Sequence, residues 1–391
     1  MYFDLSYYWR ILRHVWSLRQ WPGRRKTLAR LLIGVPLEYL FHATCFLLDY
    51  LLFPRLWTQR VEQPVFIVGH ARSGTTLAHR LMSADKGTFS YFLYWEMFFP
   101  SLLQKRVIRG LGYLDRRLFG SYCHRRLVAW DDKTFGPFRH MHDMSLWNAE
   151  EDQFVMRAAC LSQQWTVDIP MMDRIDLFHI DQLSSRRRRR WLHHYRECVK
   201  RQLVLCGGNR IHLSKNPVMS GWVDALLEAF PDARFVVMMR NPGECIPSVL
   251  KLVQVGWKGR GWRHEDCAES LRVLTEISFD SYHLPRLALA ARPMTPSLVV
   301  DYRELTTEPR LTVQAIYQSL GLAMSSEYDA FLLQQEAREK RHKVDFRYSL
   351  DEFEITGDRL QTELADFYME YSWPPPGKPA KEEPEHERAE R

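Results

Sequence analysis

Two stretches of this 391-residue sequence set phosphate-binding residue types at chemically useful spacings. In Gly69-His70-Ala71-Arg72-Ser73-Gly74-Thr75-Thr76, four residues separate the glycines and a pair of hydroxyls follows. This is the spacing of a P-loop without its closing Gly-Lys-Ser/Thr, because Thr75 holds the lysine position. Successive backbone N–H groups at a helix N-terminus still cradle a phosphate, and glycine lets the anion approach the backbone. What is lost is the lysine that reaches the β and γ phosphates of a nucleoside triphosphate. The loop therefore suits a nucleotide with a shorter 5′ chain, with Arg72 as its cation. The second stretch, Arg234 to Ser248 (RFVVMMRNPGECIPS), ends an apolar run at Arg240, turns at Asn241-Pro242-Gly243 and presents Ser248 eight residues after Arg240. A guanidinium and a hydroxyl so placed can clamp one phosphate from two sides. Either stretch alone also reads as an ordinary turn; together they are far more specific.

Positioning these groups requires strands that end where the motifs begin. Val65 to Val68 is a short apolar run before Gly69, and Leu77, Leu81 and Met82 give a helical period after the loop. Strand patterns also run from Arg210 to Ser214 into Lys215, from Arg234 to Met239 into Arg240, and from Ser297 to Val300 into Asp301. A helix over 218–230 lies between the first two. Strands alternating with helices imply a P-loop-like, three-layer α/β fold with a central parallel sheet flanked by helices, and ligands gather at the carboxyl ends of its strands. Glu150 to Ala159 has a helical pattern, and Ser184-Ser185 caps a long helix through Trp191, Tyr195, Val199 and Leu203. Residues 91–130 are aromatic and basic without a period, and read as helices and loops closing over a substrate. The run Arg186 to Arg190 reads as a solvated helix start.

Composition sets outer bounds. With 46% apolar and 13% aromatic residues the chain buries a substantial core, and its net charge of +7 favours anionic partners. No nucleic-acid module is visible, so nucleic acid is not an expected partner. Seven scattered cysteines without a CxxC pair argue against a disulfide framework or a zinc site. Residues 31–53 form an apolar run flanked by Arg24, Arg25, Lys26 and Arg30 before it and Arg55 and Arg60 after it, but carry Glu38, His42 and Asp49 on one narrow helical stripe. A buried charge makes spanning costly, so an interfacial helix or packing on the domain is favoured. The expected organisation is a basic, aromatic membrane-surface or anchoring segment over 1–58, a catalytic domain over 59–373, and a disordered tail over 374–391. The expected location is membrane-associated on the cytoplasmic face, with a membrane-anchored lumenal domain as the alternative.

PVFIVGHARSGTTLAHRLM resembles the 5′-phosphosulfate loop of sulfotransferases, and ARFVVMMRNPGECIPSVLK resembles their 3′-phosphate motif. LSKNPVMSGWVDALLEAFPDARFVV, DYRELTTEPRLTVQAIYQSLGL and YSLDEFEIT are similar to further family segments, so the likeness runs from about Pro64 to Tyr371, nearest the broad group common in bacteria. The resemblance implies 3′-phosphoadenosine 5′-phosphosulfate as co-substrate, without a metal, and a hydroxyl or amine acceptor on a small molecule, lipid, glycolipid or carbohydrate. It assigns Arg72, Ser73, Gly74, Thr75 and Thr76 to the 5′-phosphosulfate, Arg240 and Ser248 to the 3′-phosphate, and Lys215 to charge near the transferring group. Relatives often carry histidine four residues after that lysine; here the position is Met219, so that base is missing.

Ala149-Glu150-Glu151-Asp152-Gln153 resembles the family's Pro-Glu-Glu-Asp-Glu motif with its ends altered. Three consecutive carboxylates repel one another, and one beside the donor would gain proton affinity suited to base catalysis. Glu151 is the first candidate, Glu150 the second, with His140 and His142 just upstream; an acidic first helical turn is the structural alternative. Competing functions are a P-loop small-molecule kinase, disfavoured by the missing lysine and the lack of a magnesium aspartate after a strand, and a non-catalytic membrane-surface binding protein of the same fold. The sequence does not specify an oligomeric state.

Overall fold

Residues 65–69 are buried without exception, as expected of a strand covered on both faces. In the computed structural model, which describes residues 1–136, 144–339, 351–353 and 355–375, this strand β1 (Val65–Gly69) is central. It joins β2 (Phe89–Ser90), β3 (Ile211–Lys215), β4 (Arg234–Met239) and β5 (Ser297–Asp301) in a parallel sheet of order β2-β3-β1-β4-β5. His140, His142 and the tail from 376 onward lie outside the described residues, as does part of the 348–356 segment.

Side-chain alternation splits the core into two layers. Phe66 and Val68 of β1 join Phe235, Val237 and Met239 of β4 in the larger cluster, whereas Val65, Ile67, Val236 and Met238 face the smaller one. Helices cover both faces, so the chain has the expected three layers. β1 pairs with β3 through Ile67↔Lys215 and with β4 through Gly69↔Met238, which brings the ends of three strands together.

Two helices differ from expectation. Residues 217–222 form a 3₁₀ turn before a short α-helix over Val223–Ala229; Pro217 opens the turn, and Gly221 sits where a Cβ would lie 2.4 Å from the Phe178 carbonyl oxygen. The helix expected over 150–159 is a 3₁₀ segment, Asp152–Ala159. The unperiodic region 91–130 resolves mainly into helices over Leu102–Leu118 and Tyr122–Phe135.

The first sixty residues pack on the same core. Tyr7, Ile11 and Val15 of helix α1 (Leu5–Ser17), with Leu31, Val35 and Phe46 of helix α2 (Arg24–Leu52), belong to the larger cluster. A π-helical turn over Arg30–Gly34 precedes Pro36, whose absent N–H breaks the regular ladder. The polar stripe of α2 turns inward. Asp49 is fully buried and accepts hydrogen bonds from Arg201 Nε at 2.8 Å, Ser101 Oγ at 2.8 Å and the Leu102 and Leu103 amides. His42 meets Gln104, and Glu38 pairs with Arg157. Leu37, Leu40, Phe41, Leu47 and Leu51 face outward, Leu51 with 70% of its surface exposed. The arginine run is also structural: Arg187 forks onto Asp4 at 2.8 and 2.9 Å, and Arg188 pairs with Glu228.

Candidate active site

Four segments converge at the carboxyl ends of β1, β3 and β4. The loop after β1 leads into helix α3 (Thr75–Ser83), whose first amides follow Gly74. Gly69 adopts φ +130°, and a Cβ there would lie 2.3 Å from the Met238 carbonyl oxygen; Gly74 adopts φ +94°, with a Cβ 2.4 Å from the Tyr302 ring. Both glycines are therefore required by the backbone and by its neighbours. Ser220 pins the loop's start, accepting from the Gly69 amide at 2.8 Å and donating to its carbonyl at 3.0 Å. Ser73 Oγ is buried without a hydrogen-bond partner among the described residues, as fits a hydroxyl awaiting an anion beside helix-terminal amides.

The second phosphate stretch touches the first. Arg72 Nε donates to Ser248 Oγ at 3.2 Å, and Arg240 Nη1 donates to the Arg72 carbonyl at 3.3 Å. Asn241 caps helix α4 (Pro242–Gly259), accepting from the Gly243 amide, and this helix carries Ser248. Arg240 pairs with Glu244 one turn on, at 2.7 Å, and lies 4.3 Å over the Tyr302 ring. Tyr282 donates to the Arg240 carbonyl at 2.8 Å. Neither Ser220 nor Tyr302 was singled out in the sequence; both lay within resembling segments but had no assigned role.

Lys215, fully buried at the end of β3, lies 3.4 Å from Glu151 Oε1 and 3.6 Å from Glu150 Oε2. Burial alone would lower its ammonium, but Glu151 and Glu150 outweigh it and hold Lys215 above its ordinary range. Glu150 and Glu151 share the one ammonium, whereas Asp152 is drawn away from them. Asp152 turns into the core, accepting from Tyr195, from Ser214 Oγ at 3.0 Å and sitting 3.0 Å from His212 Nε2. Glu151 stands at the N-cap of the 3₁₀ segment without a side-chain cap, and Asp152 occupies its first turn, as the acidic-first-turn alternative has it. The Glu151 side chain keeps 19% of its surface exposed against 3% for Glu150, so Glu151 is the more accessible of the two. His79 on α3 also feels Lys215: burial first, then that ammonium, push its imidazole down to about 3.

Residues 64–326 match the sulfotransferase family, two thirds of the chain. This protein belongs to the sulfotransferase family. It is 27% identical over 278 residues to the omega-hydroxy-beta-dihydromenaquinone-9 sulfotransferase Stf3 of Mycobacterium bovis, an alignment covering 67% of this chain and 63% of that protein. The chain thus spans less than two thirds of that relative's length. Its fold matches the crystal structure of sulfotransferase STF9 from Mycobacterium avium with a TM-score of 0.71 at 17% identity, over 97% of this chain and 99% of the other. Sulfotransferase STF1 from Mycobacterium tuberculosis H37Rv matches with a TM-score of 0.66 at 18% identity, over 92% of each chain. Within this sulfotransferase-family chain, Arg72 to Thr76, Arg240 and Ser248 form one cluster. Lys215 joins Glu150 and Glu151 one strand away, across the Ile67↔Lys215 pairing.

Proposed function

We propose that this chain transfers a sulfuryl group from 3′-phosphoadenosine 5′-phosphosulfate to a hydroxyl or amine acceptor. The observation that carries this is the bridge between the two phosphate stretches, in which Arg72 meets Ser248 and Arg240 holds the Arg72 carbonyl. One nucleotide with phosphates at both its 5′ and 3′ ends fits that arrangement. A triphosphate does not, for want of the P-loop lysine.

Sulfuryl transfer resembles phosphoryl transfer in building negative charge on the leaving bridging oxygen. Arg72, the amides from Gly74 to Thr76 and Lys215 supply positive charge preset for that oxygen. Arg240 and Ser248 hold the 3′-phosphate. Glu151, 3.4 Å from Lys215, accepts the acceptor's proton. Asp152 positions the lysine strand through Ser214 and His212. Equilibrium binding tests this reading: adenosine 3′,5′-bisphosphate should bind tightly without magnesium and magnesium-ATP weakly. The reverse order would sink it in favour of a kinase.

We further propose that the protein lies on an anionic membrane surface and takes a lipid acceptor. Exposed leucines on α2, Trp9 and Trp16 on α1, and the nearby cluster Arg24, Arg25, Lys26 and Arg30 make an interfacial composition. The Mycobacterium bovis relative is named for a hydroxylated menaquinone, which supports a lipid alcohol here. Spanning would strip Asp49 from Arg201, and breaking a buried pair costs about 3–5 kcal/mol. The helix is therefore read as interfacial and the domain as cytoplasmic. Flotation with phosphatidylglycerol vesicles checks this: Leu47→Glu with Leu51→Glu should abolish co-flotation, and undiminished flotation would refute the surface.

A further inference from the structure

Between Leu93 and Ala149 the chain leaves the body of the protein and returns to it. An isolated antiparallel bridge pairs these two residues, and the Tyr94 and Trp95 amides reach the Asn148 and Leu146 carbonyls at 2.9 and 3.1 Å. Within this excursion the helices Leu102–Leu118 and Tyr122–Phe135 pack together as a hairpin. Its first helix starts against α2: Asp49 accepts from the Ser101 hydroxyl and from the Leu102 and Leu103 amides, and Arg106 lies 4.7 Å over the ring of Phe53, the residue that follows α2. At 1.5 Å per residue that helix carries the chain about 25 Å from this foot.

The hairpin shows apolar side chains to water and buries polar ones. Val107, Leu111, Leu114 and Leu118 recur at helical spacing, within about 60° of one another around the axis, and all four are exposed. At the far end Phe119 and Tyr122 are exposed too, Phe119 by 65% of its surface. Asp115, by contrast, is covered at the turn, where it accepts from the Cys123 and His124 amides at 3.0 Å each. Asp131 accepts from Ser145 Oγ at 2.9 Å and from the Leu146 amide at 2.8 Å. These bonds set the hairpin before anything covers it, so docking costs little ordering entropy. A contiguous apolar stripe left to water marks a surface for a partner.

Charge indicates which partner. Residues 102–135 hold eight lysines and arginines against three aspartates, most of the chain's net charge of +7. Arg106 and Arg117 lie along one edge of the stripe, about a quarter-turn from it. Arg116, Arg117 and Arg126 form no ion pair among the described residues. Aliphatic side chains edged by arginines match the acyl boundary and the phosphates of an anionic bilayer. A second copy of the chain fits worse, because a two-fold contact would set these arginines against their own images.

We propose that the hairpin Leu102–Phe135 is a second membrane-docking element, with its stripe in the interface of an anionic bilayer and its arginines on lipid phosphates. This rests on the membrane-surface reading of α2 and adds a contact of its own, which begins where α2 ends. The returning limb runs directly into Glu150, whose amide donates to the Phe92 carbonyl at 3.3 Å, so the docked hairpin has Glu150 and Glu151 at its foot.

Full-length protein is floated with phosphatidylglycerol and, separately, with phosphatidylcholine vesicles. Leu118→Cys in a Cys123→Ser background, which removes the exposed one of the seven cysteines, carries a nitrobenzoxadiazole label on the stripe. Wild type should float with the anionic vesicles alone, and the label's emission should shift to the blue when they are added. Leu111→Glu with Leu114→Glu should lower vesicle partition about tenfold or more, as two leucines leave the bilayer and two like charges face it. Its thermal midpoint should match wild type, because both side chains are exposed. Undiminished partition of that variant, or a label that stays in water while the protein floats, would overturn the hairpin's role and leave α2 as the contact. Equal flotation with both lipids would overturn the arginine contacts. A wild type that floats with neither would overturn the α2 reading together with this one. A wild-type dimer that the paired substitution splits in sedimentation, with flotation intact, would give the face to a second copy instead. If the paired variant unfolds, the label decides.

Discussion

Arg72 Nε and Ser248 Oγ, 176 residues apart in sequence, stand 3.2 Å apart at the ends of two adjacent strands. The contact joins the loop assigned to the 5′ end of the nucleotide with the helix assigned to its 3′-phosphate, so the two phosphate grips share one hydrogen-bonded unit.

Arg240→Ala removes a guanidinium held between Glu244 and Tyr302. A charge-assisted phosphate contact contributes about 1.5–3 kcal/mol, so bisphosphate affinity should fall by one to two orders of magnitude. Ser248→Ala should cost less, about tenfold, because a neutral hydroxyl is lost. Calorimetric titration of both variants checks the order, and unchanged affinity in Arg240→Ala would refute the assignment.

Glu151→Gln keeps the side chain's shape and its place beside Lys215 but removes the proposed base. Turnover is expected to fall by about 10²–10⁴-fold with bisphosphate affinity preserved. Glu150→Gln, at the buried side of the same lysine, should have the smaller effect on turnover. A radiolabelled sulfuryl-transfer assay compares them; a normal rate in Glu151→Gln excludes it as the base.

Asp49 and Arg201 form a fully buried pair between α2 and the long helix Ser185–Leu205. Arg201→Met leaves Asp49 with its amide and hydroxyl partners but no cation, and should destabilise by about 3–5 kcal/mol. The double variant Asp49→Leu, Arg201→Met should recover little of that loss, because the Ser101 hydroxyl and the Leu102 and Leu103 amides then lose their acceptor. Urea unfolding of the three proteins measures it, and equal midpoints for wild type and Arg201→Met would exclude the pair's role.

His179 sits between Asp176 at 2.7 Å and Asp280 at 2.8 Å, tying a loop to the helix His264–Ala290. Burial alone would lower its imidazolium, but the hydrogen bonds to the two aspartates outweigh it and hold it at about 9. Because the folded value is raised above the ordinary 6.5, this contribution is fully present below pH 6.5 and is lost as pH rises through 9. Thermal midpoints should therefore fall more between pH 7 and 10 in wild type than in His179→Gln. Parallel curves would show that the clamp contributes nothing.

Much of the scaffold was legible because β1 and β4 are covered on both faces and read as unbroken apolar runs ending at glycine and arginine. β2 was not: two residues carry no period. The loop's glycines announced themselves, yet the need for Gly74 became clear only once Tyr302, from a distant segment, was found against it. Glu150, Glu151 and Lys215 entered through resemblance alone, since nothing in their local spacing joins residues more than sixty apart. The division of labour among the three carboxylates was hidden for the same reason: Asp152 is claimed by Ser214, His212 and Tyr195, partners that only the folded sheet and the long helix beside it bring within reach. The polar stripe on α2 was visible as a stripe, but its inward direction depended on Arg201, Gln104 and Arg157, none of them neighbours in the chain.

That inward direction leaves folding with work undone. Burying one leucine or phenylalanine side chain releases about 1.5–3 kcal/mol, and the outward leucines and Phe41 of α2 have collected little of it. The folded chain thus carries an unsatisfied driving force concentrated on one flank, on the side of the helix away from the charges that fasten it down. Any surface that covers this flank will also stabilise the native state, since the unfolded chain cannot present it in the same form. Attachment and folding are therefore two readings of a single equilibrium.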